Sequence, residues 1–217
     1  MKNDLADITI LLDKSGSMYS IANDTIGGLN KFIDDQKKLP GHMNLTLIKF
    51  NNKSECQHNA IPIQDFKPLD HQNYCPGGNT ALLDACGKAI IETGQRLKNI
   101  PEQDRPGKIL FVIITDGQEN SSTEYTRTLI SEMIKHQTDV YKWSFVFLGA
   151  NQDSFTEAHK LGILAANTCN YQATGPGVLR AMNIVSSNIT NYRSSKQTGP
   201  NVTFFDNIIQ SEKGLET

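Results

Sequence analysis

A chain of 217 residues is long enough for one well-buried domain, and two would each be small. Hydrophobic residues at 38% and charged residues at 20% suit a soluble globular protein. A formal charge of -2 leaves no clustered cationic surface of the kind that nucleic acid requires. Acids stand in the opening "MKNDLADITI" where a secretion signal needs an apolar core, and no apolar run approaches the length of a membrane span, so the expected location is the cytoplasm.

In chain order, the apolar run Ile8–Leu12 reads as a buried strand and ends in the turn "DKSGSM", residues 13–18. Met18, Ile21, Thr25, Leu29, Phe32 and Ile33 then recur at helical spacing. The Gly27–Gly28 pair inside that helix costs about 1 kcal/mol per glycine against alanine, which predicts a close helix-to-sheet approach. Leu45–Phe50 is a second strand. Only the polar stretch "NNKSE" separates residues 44–50 from a strand at about 55–63, so these two form an antiparallel hairpin at one edge of the sheet. A helix through Leu82, Leu83, Cys86, Ala89, Ile90 and Leu97 precedes the strand Ile109–Ile114. A helix through Leu129, Ile130, Met133 and Ile134 precedes the strand Trp143–Leu148.

Beyond these, Ser154-Phe155-Thr156-Glu157 has the pattern of a capping box, and Gly162 suits the end of the short helix it would start. A weaker strand near Ala165–Tyr171 leads to a last amphipathic helix, begun by Gly175-Pro176-Gly177 and carrying Val178, Met182, Val185, Ile189 and Tyr192. Alternating strands and helices with near-continuous apolar strands predict an α/β fold: a doubly wound, mainly parallel six-stranded sheet with one antiparallel edge strand and helices on both faces. The expected domain spans residues 1–192. Residues 193–217 form a tail with one apolar island, "VTFFDNII".

The four cysteines, Cys56, Cys75, Cys86 and Cys169, include no CxxC pair, so neither a disulfide framework nor a thioredoxin-like site is indicated. Cys56, His58, His71 and Cys75 could in principle surround zinc. The first pair does not have the spacing that zinc sites usually use, and the plainer reading is a strand with Cys56 and His58 on one face followed by a loop.

Ligands of open α/β sheets collect at the carboxyl ends of the strands. Asp13, Ser15 and Ser17 follow the first strand, Thr80 in "GGNTALLDA" stands where a loop enters a helix, and Asp116 in "TDGQEN" follows the fourth strand. All five are expected to face one spot. D-x-S-x-S with a distant Thr and a T-D-G after an apolar strand resembles the von Willebrand factor type A domain, over residues 6 to about 192. In that family these positions form the metal-ion-dependent adhesion site. The resemblance implies Ser15, Ser17 and Thr80 as hydroxyl ligands, with Asp13 and Asp116 coordinating directly or through water.

Mg²⁺ suits such an oxygen set because it accepts near-octahedral ligation and keeps waters; Mn²⁺ and Ca²⁺ are the alternatives. An ion incompletely neutralised by its protein ligands favours an incoming anion, and an Asp or Glu of a protein partner is the natural last ligand. Tyr19, Tyr74, Gln118, Glu119 and Asn151 lie in the surrounding loops and are candidate partner contacts, although either tyrosine could instead pack on its own domain. The resemblance also points to an intracellular bacterial or phage assembly or adaptor protein rather than an enzyme.

Two other readings compete with this one. Magnesium-dependent phosphohydrolases of the haloacid-dehalogenase type share an Asp after the first strand, but they need a second acid where this chain has Ser15. A structural domain with a vestigial site is the other. In the tail, Val202, Phe204, Phe205, Ile208 and Ile209 must be covered, either by the chain's own domain or by a neighbouring copy, into whose metal site Asp206, Glu212 or Glu216 would reach.

Overall fold

The structure, a computed structural model, describes residues 1–150, 154–195 and 202–205. Six strands, β1 (Lys2–Asp13), β2 (His42–Phe50), β3 (Ser54–Pro62), β4 (Pro106–Thr115), β5 (Ser144–Ala150) and β6 (Thr168–Tyr171), form one sheet in the order β3-β2-β1-β4-β5-β6. Every pairing is parallel except β2 with β3. Helices α1 (Ala22–Lys37), α2 (Leu82–Lys98), α3 (Arg127–Tyr141), α4 (Ser154–Lys160) and α5 (Gly175–Ser194) cover the two faces. The chain leaves β1 for β2 on one side and returns to β4 on the other, so the order of strands reverses between β1 and β4. A reversal of this kind opens a crevice at the carboxyl ends of the two strands.

Alternation along β1 sorts the two cores. Ile8, Ile10 and Leu12 join Leu29, Phe32 and Ile33 of α1 and Val178, Met182 and Val185 of α5. Leu11 points the other way, into a layer with Leu82, Cys86 and Ile90 of α2 and Ile130 and Ile134 of α3. Asp7 lies on this second face, fully buried, and accepts two hydrogen bonds of 2.8 Å from the Arg96 guanidinium of α2. The fork matches a carboxylate at both oxygens, and that pairing is what makes a charge tolerable inside the sheet–helix layer.

Three expectations change in detail. Met18 and Ile21 belong not to α1 but to a tight 3-10 turn, Gly16–Ile21, in which residues three apart eclipse; spacing alone does not separate that turn from an α-helix. The close approach at Gly28 is helix to helix. A Cβ there would lie 3.0 Å from Cγ of Met182 on α5, whereas Gly27 faces open space. Ser154, expected to cap α4, donates its hydroxyl to Asn170 on β6, and Glu157 pairs with Arg127 and Lys160.

Packing continues beyond residue 192. α5 runs to Ser194, where Lys108 Nζ donates to the carbonyls of Arg193 and Ser195. Val202, Phe204 and Phe205 are buried, with Phe204 against the Tyr192 ring and the N–H groups of Phe204 and Phe205 on the Ala166 carbonyl. These three anchors therefore fold back on their own domain. Asp206, Ile208, Ile209, Glu212 and Glu216 lie outside the described residues.

At the other edge, β3 pairs with two register shifts, and Ala60 takes a left-handed φ of 49° with its N–H on the Thr46 hydroxyl. Among the described residues no helix is long and apolar enough to cross a membrane.

Candidate metal centre

Three loops meet at the carboxyl end of the β1/β4 crevice. The first follows β1, where Asp13 is fully buried. Its carboxylate accepts the Ser15 N–H at 2.6 Å and the Thr115 hydroxyl, from the end of β4, at 2.6 Å. The Ser15 and Ser17 hydroxyls lie 3.1 Å apart, and Ser17 donates to Asp116 Oδ1 at 2.5 Å. Thr80 enters from the loop before α2, and its position relative to the rest is fixed by one glycine. A Cβ built on Gly117 would lie 2.9 Å from Thr80 Oγ1, 3.3 Å from Ser17 Oγ and 3.5 Å from Ser15 Oγ. Three hydroxyl oxygens from two loops thus line the space that a methyl group at Gly117 would fill, and the two carboxylates adjoin them.

The donor set fits a hard cation. Burial pushes the Asp13 carboxyl up to about 6 and raises that of Asp116 as well. Asp116 adds to the rise at Asp13, and among the described residues no cationic side chain offsets it. Two buried acids among neutral hydroxyls are costly when ionised, and a divalent ion ligated by oxygen relieves that cost. Among the described residues no group of three or more His, Cys, Asp and Glu could hold a metal. The Cys56–Cys75 region is therefore no zinc cluster: Cys56 Sγ faces the His58 carbonyl and Cys75 Sγ the His71 carbonyl.

The loops are tied to each other as well as to the sheet. Gly16 N–H donates to Gly78 O at 3.0 Å and Gly77 N–H to Lys14 O at 2.8 Å, joining the first and second loops. Asn51 and Asn52, just past β2, hold the second loop: Asn51 Nδ2 donates to Gly77 O, and Asn52 Oδ1 accepts the Asn79 N–H. Gly78 takes a φ of +82°, and a Cβ there would collide with Asn52, so the turn requires glycine.

The candidate partner contacts divide. Tyr19 is 78% exposed and Gln118 is exposed, both at the rim. Tyr74 is the reverse of the expectation: it is 1% exposed, and its hydroxyl donates to the Asp13 carbonyl at 2.6 Å, so it props the first loop from inside. Glu119 turns inward too, its carboxylate accepting the Leu83, Ser121 and Ser122 N–H groups and the Ser122 hydroxyl. Asn151 lies outside the described residues. The supporting contacts of Thr115, Asn51 and Asn52 were not anticipated. Thr115 had a signal, since it immediately precedes Asp116 at the strand end; the asparagines act across long sequence separations that a motif does not encode.

The oxygen-lined cluster sits at the switch point of a mainly parallel sheet of the doubly wound α/β class, the place where such folds bind their ligands. Residues 7–183 match the profile of the von Willebrand factor type A domain family, and the chain belongs to that family. Among solved structures it is similar to proximal thread matrix protein 1 from the mussel byssus, with 15% identity and a TM-score of 0.59 over 86% of this chain and 46% of that one. The chain therefore spans less than half the length of the mussel protein. It is also similar to BatB from Bacteroides thetaiotaomicron, with 13% identity and a TM-score of 0.54 over 88% of this chain and 100% of that one. A third is the manganese-loaded TRAP protein of Plasmodium vivax, with 15% identity and a TM-score of 0.54 over 82% and 73% of the two chains. A further structure of the mussel protein is described as having a zinc-occupied MIDAS motif, the metal-ion-dependent adhesion site. At such identities the likeness is one of fold. No curated protein sequence matches the chain.

Proposed function

We propose that this chain is a metal-dependent protein interaction module, in which Asp13, Ser15, Ser17, Thr80 and Asp116 hold one Mg²⁺ and an Asp or Glu of a protein partner completes its shell. The observation that carries this reading is the convergence of the Ser15, Ser17 and Thr80 hydroxyls around the Gly117 Cβ position, between two buried carboxylates. When bound, the ion supplies positive charge and a ligand position for an incoming carboxylate. Asp13 and Asp116 neutralise part of that charge, and Tyr19 and Gln118 at the rim contact the partner. The module is cytoplasmic and acts as a bacterial or phage adaptor rather than as a hydrolase. With Val202, Phe204 and Phe205 covered, self-association through the tail would rest on residues 206–217.

The first test follows from the buried acids. The Asp13 pKa is raised on folding to about 6, so its contribution to stability is present below the unfolded value near 3.8 and is lost as pH rises through about 6. The metal-free protein therefore forfeits on the order of 3 kcal/mol above pH 6, and a cation has most to offset there. Thermal denaturation with Mg²⁺ against EDTA should show a rise of several degrees at pH 7.5, a much smaller one at pH 5, and none for Asp116→Ala. An equal shift at both pH values, or in the variant, rejects the assignment.

The second test concerns the partner. Immobilised protein should retain a protein ligand in Mg²⁺, release it in EDTA, and lose it to an excess of an aspartate-containing peptide. Retention that is indifferent to EDTA contradicts a metal-dependent contact.

A further inference from the structure

Thr80 has an unusual freedom for a hydroxyl residue at the start of a helix. The N-cap of α2 is Ala81, which has no side-chain acceptor, so the first N–H groups of the helix need partners from elsewhere. They find them in the loop after β4. Glu119 Oε2 accepts the Leu83 N–H at 2.9 Å, and the Ser122 hydroxyl accepts the Asp84 N–H at 3.1 Å while itself donating to Glu119 Oε2 at 2.7 Å. Glu119 Oε1 meanwhile accepts the N–H groups of Ser121 at 2.9 Å and Ser122 at 2.8 Å, which fixes the loop as it fixes the helix. The next residue completes the connection. Asn120 Oδ1 accepts the Thr80 N–H at 2.9 Å, and the N–H groups of Asn120 and Ser121 donate to the Thr80 carbonyl at 3.1 and 3.3 Å.

We propose that Glu119 and Asn120 are positioning residues for the cation site: they cap α2 from the neighbouring loop and hold Thr80 by both of its backbone polar groups, so that its hydroxyl is left to face the space it shares with Ser15 and Ser17. This inference rests on the metal reading above. The clamp joins the loop carrying Asp116 to the loop carrying Thr80, so the separation between two of the ligands is set by contacts that touch neither ligand's side chain. Groups that orient ligands in this way commonly matter to affinity nearly as much as the ligands do.

A neighbouring set of three contacts provides the control. Asp84 staples the same loop to the same helix, accepting the N–H groups of Thr123, Glu124 and Tyr125 at 2.9, 2.9 and 3.0 Å, but it makes none of the contacts to Thr80. Loss of Asp84 should weaken the fold without reaching the site.

The experiment is a double-variant cycle read by Mn²⁺ titration, with free Mn²⁺ counted by electron paramagnetic resonance and the melting temperature of each metal-free protein measured alongside. Glu119→Gln keeps the shape and removes two of the four accepted bonds, and it should weaken Mn²⁺ binding about tenfold. Thr80→Val should weaken it at least as much, and the double variant should bind no more weakly than Thr80→Val alone, because Glu119 acts through Thr80. Asp84→Asn should lower the melting temperature and leave the affinity within about twofold. Additive losses in the double variant, or an equal loss of affinity in Asp84→Asn, would overturn the clamp and make Glu119 a residue of the fold only. If Glu119→Gln fails to fold, Asn120→Ala, which deletes only the acceptor of the Thr80 N–H, carries the same cycle with the same two outcomes. Asp116→Ala reports on the underlying reading separately: unchanged Mn²⁺ binding there removes the cation site itself.

Discussion

Replacing Gly117 with alanine is expected to lower divalent-cation affinity by about a hundredfold or more, roughly 3 kcal/mol, while the metal-free protein stays folded. The added methyl would enter the space that the Thr80, Ser17 and Ser15 oxygens line, 2.9 Å from the first of them. A contact at that distance forces the Thr80 hydroxyl aside, and the displaced oxygen is one of the ligands. Gly117 does not sit in the left-handed region, so the backbone itself accepts an L-residue. The cost to the fold is accordingly that of modest overpacking, about 1–2 kcal/mol. Calorimetric titration with Mg²⁺ together with thermal denaturation of the metal-free variant separates the two effects. Affinity equal to that of the unaltered chain would mean that a cation does not occupy the space among the three hydroxyls.

The largest loss of stability is expected from Arg96→Met. The Asp7 carboxylate is fully buried and both of its oxygens are held by that one guanidinium. Removing the cation leaves an unpaired charge between β1 and α2, at a cost of about 3–5 kcal/mol. The further change Asp7→Val removes the stranded charge and places a β-branched side chain in a central strand, so the double variant should recover most of the loss. Urea denaturation of the two single variants and the double variant measures this. A single-variant loss under about 1 kcal/mol would show that Asp7 finds another partner.

The fold could be read from the sequence because its signals are local. Ile8–Leu12, Ile109–Ile114 and Trp143–Leu148 are apolar runs of strand length, and the short polar link after Phe50 excludes a helical crossover to β3. The five candidate ligands were legible for a related reason: each stands just past a strand or just before a helix, and topology brings those ends together. What supports them was not legible. Tyr74 occupies a loop without periodicity, where an inward and an outward ring leave the same trace in the sequence, and only the structure shows its hydroxyl on the Asp13 carbonyl. Glu119 read as a rim charge because exposure is the common state of glutamate, yet it closes four hydrogen bonds that span up to 36 positions of the chain. The apolar tail needed a cover that composition could demand but not locate; Tyr192 and Ala166 provide it for Phe204.

The irregular edge strand has a consequence for behaviour in a crowded solution. A straight outer strand offers a continuous row of donors and acceptors on which another chain can crystallise into a growing ribbon. In β3 that row is broken: the pairing slips twice within a few residues, and the reversal at Ala60 turns its N–H back toward Thr46. An approaching strand would lose register after one or two bonds on this edge. Backbone-driven, sequence-indifferent growth is thereby discouraged at β3, and association there is left to side chains, whose chemistry can be selective.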